Sequence, residues 1–366
     1  MSGCSKLERL PDGLGKLESL EAIEASGITV KELPSVMVVI SALQFLKRLE
    51  LNYCSITELP NNIDNLPLLI DLELEGNNFE SIPTNIMNLS KLQSLNIRFC
   101  DRLQFLPKLP CNIKELLADG CKLLKGLSGF TNLETLGPDR RSLSLFNCVS
   151  LDWDGIRNIL SDSILDAFRS KSYRFTHKVT LQRDVQICYP GSDIPKWFNI
   201  QSSGSVIKLP QGSFNEKVLG LAFCFIVEVE DNCDECNFFG VGSTMRLSHP
   251  DVDRMFSEQT YLLTKCIRSD HVLVIYDHII WDIFGTKDFK FACDTEAVIS
   301  FRPLDGLEFT ETNWIKNIKK CGVRLLFTEG LEETMKRLGC SIHGEEDGFK
   351  SSNFYKGESS SRYVIT

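Results

Sequence analysis

What this chain has little of narrows its function first. Lys and Arg number 40 against 49 Asp and Glu, a formal net charge of -9, and no basic stripe gathers along the sequence. That argues against nonspecific nucleic-acid binding, which rests on neutralising phosphates with clustered cations. Long apolar runs are also lacking. The longest, residues 218–227, falls far short of the roughly 20 residues that cross a bilayer, and the opening MSGCSKLERLPDG holds no hydrophobic signal segment. No membrane partner is expected, and the chain reads as soluble and intracellular.

Chemistry-bearing motifs are equally sparse. No G-x-x-x-x-G-K-[ST] loop occurs, and Gly240-Val241-Gly242 lacks the third glycine of a dinucleotide fingerprint. Cys233 and Cys236 form a C-x-x-C pair with no second pair to complete a zinc site. His271 and His278 stand an odd number of residues apart on an expected strand, which sends them to opposite faces and away from a shared metal. Glu228, Glu230, Asp231, Asp234 and Glu235 read as a solvated acidic loop. Catalytic residues, cofactors and metals are therefore expected to be absent, and the chain is not expected to be an enzyme. The 14 cysteines fall at intervals that pair none of them obviously and are expected to be free thiols.

What is present is a repeat. In LKRLELNYC, Leu46, Leu49, Leu51 and Cys54 fill the first, fourth, sixth and ninth places of L-x-x-L-x-L-x-x-(C/N). Leu69, Leu72, Leu74 and Asn77 repeat it, as do Leu92, Leu95, Ile97 and Cys100, and Ile113, Leu116, Ala118 and Cys121. Leu17, Leu20, Ala22 and Ala25 precede these copies, and Leu143, Leu145 and Cys148 close them. Most steps fall within the 20 to 29 residues of leucine-rich repeats. Each L-x-L is a short strand with leucines inward, and a buried ninth-place Asn satisfies backbone groups along the stack, a task a Cys performs only weakly. Leu33-Pro34, Leu59-Pro60, Ile82-Pro83 and Leu106-Pro107 recur between the strands and belong on the convex side, since proline removes a ladder donor. Cys4 sits at a ninth place with no strand before it, so the solenoid is expected to be truncated at its N-terminus.

The expected organisation is a leucine-rich-repeat solenoid over 1–150, a capping helix and linker over 151–178, a β-sandwich over 179–330 and a disordered tail over 331–366. The helix rests on Ile156, Ile159, Leu160, Ile164, Leu165 and Phe168 at helical spacing. The sandwich rests on short runs rich in Val, Ile, Phe and Tyr at 185–189, 206–209, 219–229, 271–276, 297–301 and 322–327. The tail is too poor in apolar residues to offset ordering entropy.

One stretch carries more than periodicity. Cys188-Tyr189-Pro190-Gly191-Ser192-Asp193-Ile194-Pro195-Lys196-Trp197-Phe198, followed by Gln201-Ser202-Ser203-Gly204-Ser205, resembles the PGSEIPEWF and QSSGSS signature of the post-repeat domain of plant TIR-type nucleotide-binding leucine-rich-repeat immune receptors. The segments at 219–224, 319–326 and 145–148 add to the resemblance, which with the repeats reaches to about residue 330. It implies an α/β leucine-rich-repeat horseshoe followed by an all-β jelly-roll/Ig-like domain. It implies further that the two together recognise a pathogen effector, in the cytoplasm with the nucleus as a second compartment. The TIR and nucleotide-binding modules of such receptors have no counterpart in this sequence.

The outward positions of the repeat strands are the candidate protein-binding residues: Arg48, Glu50, Tyr53, Asp71, Glu73, Glu75, Arg98, Phe99, Asp119 and Phe146. Tyr53, Arg98 and Phe99 are the candidate anchors, because aromatics and arginine are enriched among hot spots. Acidic residues dominate the middle, so a basic or mixed partner patch is expected. Trp197 and Phe198 read as core or interdomain packing. The competing readings are a carbohydrate-binding or hydrolytic sandwich, for which no spacing singles out two facing carboxylates, and an inert truncated receptor product.

Overall fold

Each repeat contributes one strand of three residues, because only its central leucine or isoleucine needs to reach the core before the chain turns. The computed structural model describes residues 17, 19–28, 43–127, 142–152, 186–214, 218–229, 238–249, 252–263, 269–277, 296–305 and 315–327. The repeat strands are β1 (Ala22–Glu24), β2 (Arg48–Glu50), β3 (Asp71–Glu73), β4 (Ser94–Asn96), β6 (Glu115–Leu117) and β8 (Ser142–Ser144), with β5 (Phe105–Leu106) and β7 (Gly126–Leu127) forming a separate small pair. The six pair in parallel and in register, so that Ile23, Leu49, Leu72, Leu95, Leu116 and Leu143 form one buried row.

The ninth places behave as their chemistry dictates. Asn77 donates through Nδ2 to the carbonyls of Leu51 and Leu74, both at 2.8 Å, and accepts through Oδ1 from the Cys54 and Ile56 amides at 3.1 and 2.9 Å. The cysteine thiols donate back to the previous repeat: Cys54 to the Ala25 carbonyl at 3.2 Å, with the Asn52 carbonyl at 3.4 Å, Cys100 to that of Leu74 at 3.3 Å, Cys121 to that of Ile97 at 3.1 Å and Cys148 to that of Ala118 at 3.0 Å. Burial pushes the Cys100 thiol up to about 12, so it stays protonated and able to donate. On the convex side, short 3-10 turns at Ile63–Asn65 and Thr84–Asn88 follow Pro60 and Pro83. Leu106-Pro107 departs from this pattern, since Leu106 ends β5 and the ladder stops before the proline.

The remaining strands are β9 (Gln186–Pro190), β10 (Ile200–Ser203), β11 (Val206–Leu209), β12 (Val218–Val229), β13 (Phe238–His249), β14 (Val252–Leu263), β15 (His271–Asp277), β16 (Glu296–Asp305) and β17 (Ile315–Phe327). β9 pairs in parallel with β8 and antiparallel with β15, and the repeat sheet thereby runs on without a break in the order β1-β2-β3-β4-β6-β8-β9-β15-β12-β17-β10. A second sheet, β11-β16-β13-β14, faces its far half. Phe301 of that sheet meets Phe223 and Phe225 edge-on at 5.3 and 4.5 Å between ring centroids.

The continuity has a consequence for the two cores. The buried row of the solenoid continues through Ile187, Tyr189, Val272, Val274, Cys224 and Ala222 along one face of the long sheet. The opposite face, concave and polar in the repeats, becomes the sandwich interior at Phe146 and Cys188. The expected strands reappear as β9, β11, β12, β15, β16 and β17, while β10, β13 and β14 are additional. The insertion near 36–40, Cys4, the helix at 153–171, the Cys233/Cys236 pair, His278 and the tail lie outside the described residues. Among the described residues no helix is long and apolar enough to cross a membrane.

Candidate protein-recognition face

Register stacks the outward positions into rows. The first holds Arg48, Asp71, Ser94, Glu115 and Ser142, and the second Glu24, Glu50, Glu73, Asn96, Leu117 and Ser144. Negative charges on neighbouring strands directly face each other in the second row, an arrangement that costs stability unless polar groups intervene. Here they do. Ser26 donates to Glu50 at 2.6 Å, and the Asn96 amide donates to Glu73 at 2.6 Å and to Glu75 at 3.3 Å. Burial pushes the Glu73 carboxyl above its ordinary value, and the charges of Glu115 and Glu50 add to the rise against the Asn96 hydrogen bond and Arg98. Arg48 and Asp71 stand 3.6 Å apart at the solvent edge of the first row, a separation and exposure that make the pair weak.

At the end of each strand the chain turns through a left-handed residue: Gly27, Tyr53, Gly76, Phe99, Gly120 and Asn147. In the first five, the N–H donates to a carbonyl of the following repeat, on Asn52, Glu75, Arg98, Asp119 and Phe146 in turn, at 2.6 to 2.7 Å. Glycine alternates with an aromatic for a steric reason: each ring lies across the next repeat's turn. A Cβ on Gly76 would sit 2.3 Å from Tyr53 Cδ1, and one on Gly120 2.5 Å from Phe99 Cδ1. Tyr53, half exposed, also donates its hydroxyl to Glu75. The two candidate aromatic anchors are thus fixed by the backbone of the neighbouring repeat, which lowers the entropy they would lose on binding.

Two candidate residues are not on the accessible face. Phe146 is fully buried in the sandwich core, and Asp119 is 1% exposed beneath Arg98, Ser144 and Phe146. Asp119 is an internal brace: it accepts from Arg98 Nε at 2.7 Å, from the Ser144 hydroxyl, and from the Phe146 amide at 3.0 Å. Burial pushes its carboxyl up against the opposing pull of Arg98. Arg98 is correspondingly withdrawn, its side chain 12% exposed, so it is a weaker anchor than its residue type suggests. Arg48, Glu50, Tyr53, Asp71, Glu73, Glu75 and Phe99 retain exposure. Glu24, Asn96 and Glu115 share their rows and were missed by sequence reasoning; extending the strand alignment to the residues flanking the central leucine would have found Asn96 and Glu115, while Glu24 needed the first copy to be phased on Ile23 rather than Leu20.

The segment at 188–198 serves packing. Gly191 and Ile194 to Phe198 fold back over the long sheet, where a Cβ on Gly322 would meet Ile194 Cγ2 at 2.8 Å and Phe198 Cβ at 3.2 Å. Phe198 is buried and stacks on the partly buried Trp197 at 3.9 Å between centroids. Lys320 donates to the Ser192 carbonyl at 3.0 Å and to Asp193 at 2.8 Å, and Arg324 donates to the Trp197 carbonyl. Among the described residues, no group of three or more His, Cys, Asp or Glu side chains is gathered as a metal would require.

Comparison with known proteins places these features. Residues 189–332 match the C-JID domain. The chain is 27% identical to the disease resistance-like protein DSC1 of Arabidopsis thaliana, over 92% of this chain and 31% of that protein. It is 30% identical to the TMV resistance protein N of Nicotiana glutinosa, over 91% of this chain and 30% of that one. A Leptospira interrogans leucine-rich-repeat protein, LIC12759, is similar in structure over 40% of this chain and 42% of its own, at 25% identity and a TM-score of 0.30. The chain spans about three tenths of the length of the curated relatives it matches.

Proposed function

We propose, from the premise that this chain carries a leucine-rich-repeat region and a C-JID domain homologous to those of plant TIR-type nucleotide-binding resistance proteins, that it is a non-enzymatic module recognising a pathogen effector protein. Recognition uses the open part of the concave face, from Glu24 to Glu115, with the sandwich bordering it. The observation that carries this reading is the pair Glu50 and Glu73, facing each other across β2 and β3, with Glu75 just past β3 holding the Tyr53 hydroxyl and the pinned rings of Tyr53 and Phe99 on the same face. Half-exposed, preorganised charge selects a complementary basic partner patch and penalises a like-charged one, and rigid aromatics supply contact area at low entropic cost. The module works with the TIR and nucleotide-binding parts found in receptors of this kind, in the cytoplasm and the nucleus.

The test is direct binding of the purified chain to a panel of pathogen effectors, with NAD consumption and ATP binding followed on the same sample. A saturable complex with one effector and no turnover is expected. Failure to bind across the panel, together with NAD loss above a heat-treated control, would replace recognition with an enzymatic role.

A further inference from the structure

The hydrogen-bond series along the left-handed turns ends in an unusual acceptor. In five successive repeats the turn N–H donates to a carbonyl of the next repeat. The sixth, on Asn147 (φ 58°), donates instead to Nε2 of His271 at 3.0 Å, across to strand β15 of the sandwich. Nδ1 of the same ring lies 2.7 Å from the Ser269 carbonyl. A carbonyl can only accept, so Nδ1 carries the proton and Nε2 is the free acceptor. The ring is fully buried and lies 5.2 Å, centroid to centroid, from Phe146, the residue through which the concave face enters the sandwich core.

Strand β9 completes the imitation. In the repeats the residue after each strand donates to the next strand, as Leu74 does to Asn96 and Ala118 to Ser144, and Leu145 donates in the same way to the Cys188 carbonyl at 3.0 Å. We propose that β9 and His271 together act as a surrogate further repeat, with His271 the latch that caps the solenoid's hydrogen-bond ladder and binds the repeats and the sandwich into one cooperative unit. The β8–β9 ladder spans only three residue pairs, Ser142 to Ser144 against Gln186 to Cys188, so a second tie at this joint weighs heavily in holding its angle.

The latch differs from the carbonyls it replaces in being able to lose its acceptor to a proton. Its surroundings keep it from doing so. Val227 and Pro190 stand opposite His271 on β12 and β9, and Phe146 and Asn147 face it from the repeats, none of them charged. The adjacent charge is Asp270, which is itself held by Lys319 of β17 at 2.9 Å. Burial accordingly lowers the imidazole to about 4, and the latch is closed at neutral pH.

Hydrogen exchange on the full chain tests the proposal. His271→Leu removes the acceptor and keeps an apolar side chain; exchange at 145–148 and 186–188 should rise roughly three- to tenfold, the range expected for one net hydrogen bond, while the β12–β17 ladder keeps its protection. His271→Gln, which restores an acceptor, should recover most of that protection. Unchanged exchange at the joint in the leucine variant would overturn the latch. So would an equal loss throughout the sandwich in both variants, which would make His271 an ordinary core residue. If the leucine variant does not fold, nitrogen NMR of the wild-type imidazole decides: a neutral ring protonated at Nδ1 is expected at pH 7, and a ring protonated at Nε2 would refute the assignment.

Discussion

The ring of Tyr53 fills the space that a side chain on Gly76 would need, its Cδ1 and Cε1 lying 2.3 and 2.4 Å from the Cβ such a side chain would carry. Tyr53 itself adopts φ 55° and Gly76 φ 69°, so a strained aromatic and a glycine in the left-handed region are locked to each other across a repeat boundary. The pairing converts a backbone requirement into a fixed aromatic on the recognition face.

Gly76→Ala should therefore destabilise the chain by about 1–3 kcal/mol, through left-handed strain and displacement of the ring. In a Tyr53→Ala background the loss should be smaller, because only the strain remains. A double-mutant cycle by urea denaturation measures the difference; additive losses would show that the ring and the glycine do not interact.

Arg98→Met should cost about 3 kcal/mol, since removing one partner leaves the Asp119 carboxylate uncompensated in a buried site. Asp119→Asn should cost less, because its amide oxygen still accepts from the Phe146 N–H. Denaturation midpoints of the two variants check the order, and a smaller loss for Arg98→Met would mean that Asp119 does not depend on its partner.

The contribution of His271 to stability should fall as pH drops from about 6.5 towards 4. His271 is held near 4 in the folded chain against an ordinary 6.5, so the unfolded chain binds its proton more readily throughout that window. Its contribution is complete above 6.5 and is lost on the way down. Glu73 and Asp119, raised above their ordinary 4.5 and 3.8, run the opposite way: their contributions are present at low pH and lost as pH rises through the raised values. Denaturation at pH 7, 5.5 and 4.5 should show the wild type losing more stability on acidification than His271→Gln; an equal slope in both would place the titration elsewhere.

Phe198→Ala should cost about 3–5 kcal/mol, as expected for an aromatic lost from a core, and Trp197→Ala distinctly less, because Trp197 is only partly buried. Thermal denaturation followed by far-ultraviolet circular dichroism reports both. Equal losses would indicate that Trp197 carries as much of the packing as Phe198.

From β2 onward the repeat strands were legible because L-x-x-L-x-L ties each buried position to its neighbours within a few residues, and the outward set from Arg48 to Phe99 followed from the same alternation; the first copy was phased three residues early, since Ile23 and not Leu20 pairs with Leu49 and Leu17 is half exposed. Asp119 and Phe146 were misplaced because Phe146 enters the sandwich core, built from strands far along the chain from the last repeat, and Asp119 is held beneath Phe146, Ser144 and Arg98. No local pattern marks Phe146 as the point where a solvated face becomes a core. β13 and β14 were missed for a related reason: FFGVGSTMRLSH and VDRMFSEQTYLL interleave glycine and polar residues, and their strand character comes from pairing with each other along twelve register positions. The left-handed turns at Tyr53 and Phe99 carry no glycine to announce them, and only the alternation with Gly27, Gly76 and Gly120 along the repeats hints at the geometry.

The central claim is that the acidic row of the open concave face contacts the effector. Calorimetric titration of a bound effector into the wild-type chain and into a Glu73→Lys, Glu75→Lys variant, with folding checked by circular dichroism, tests it most directly. Charge reversal at a buried contact can cost several kcal/mol, so affinity should fall by at least about a hundredfold. A folded variant that binds the effector as tightly as the wild type would contradict the account and leave the sandwich as the recognition surface.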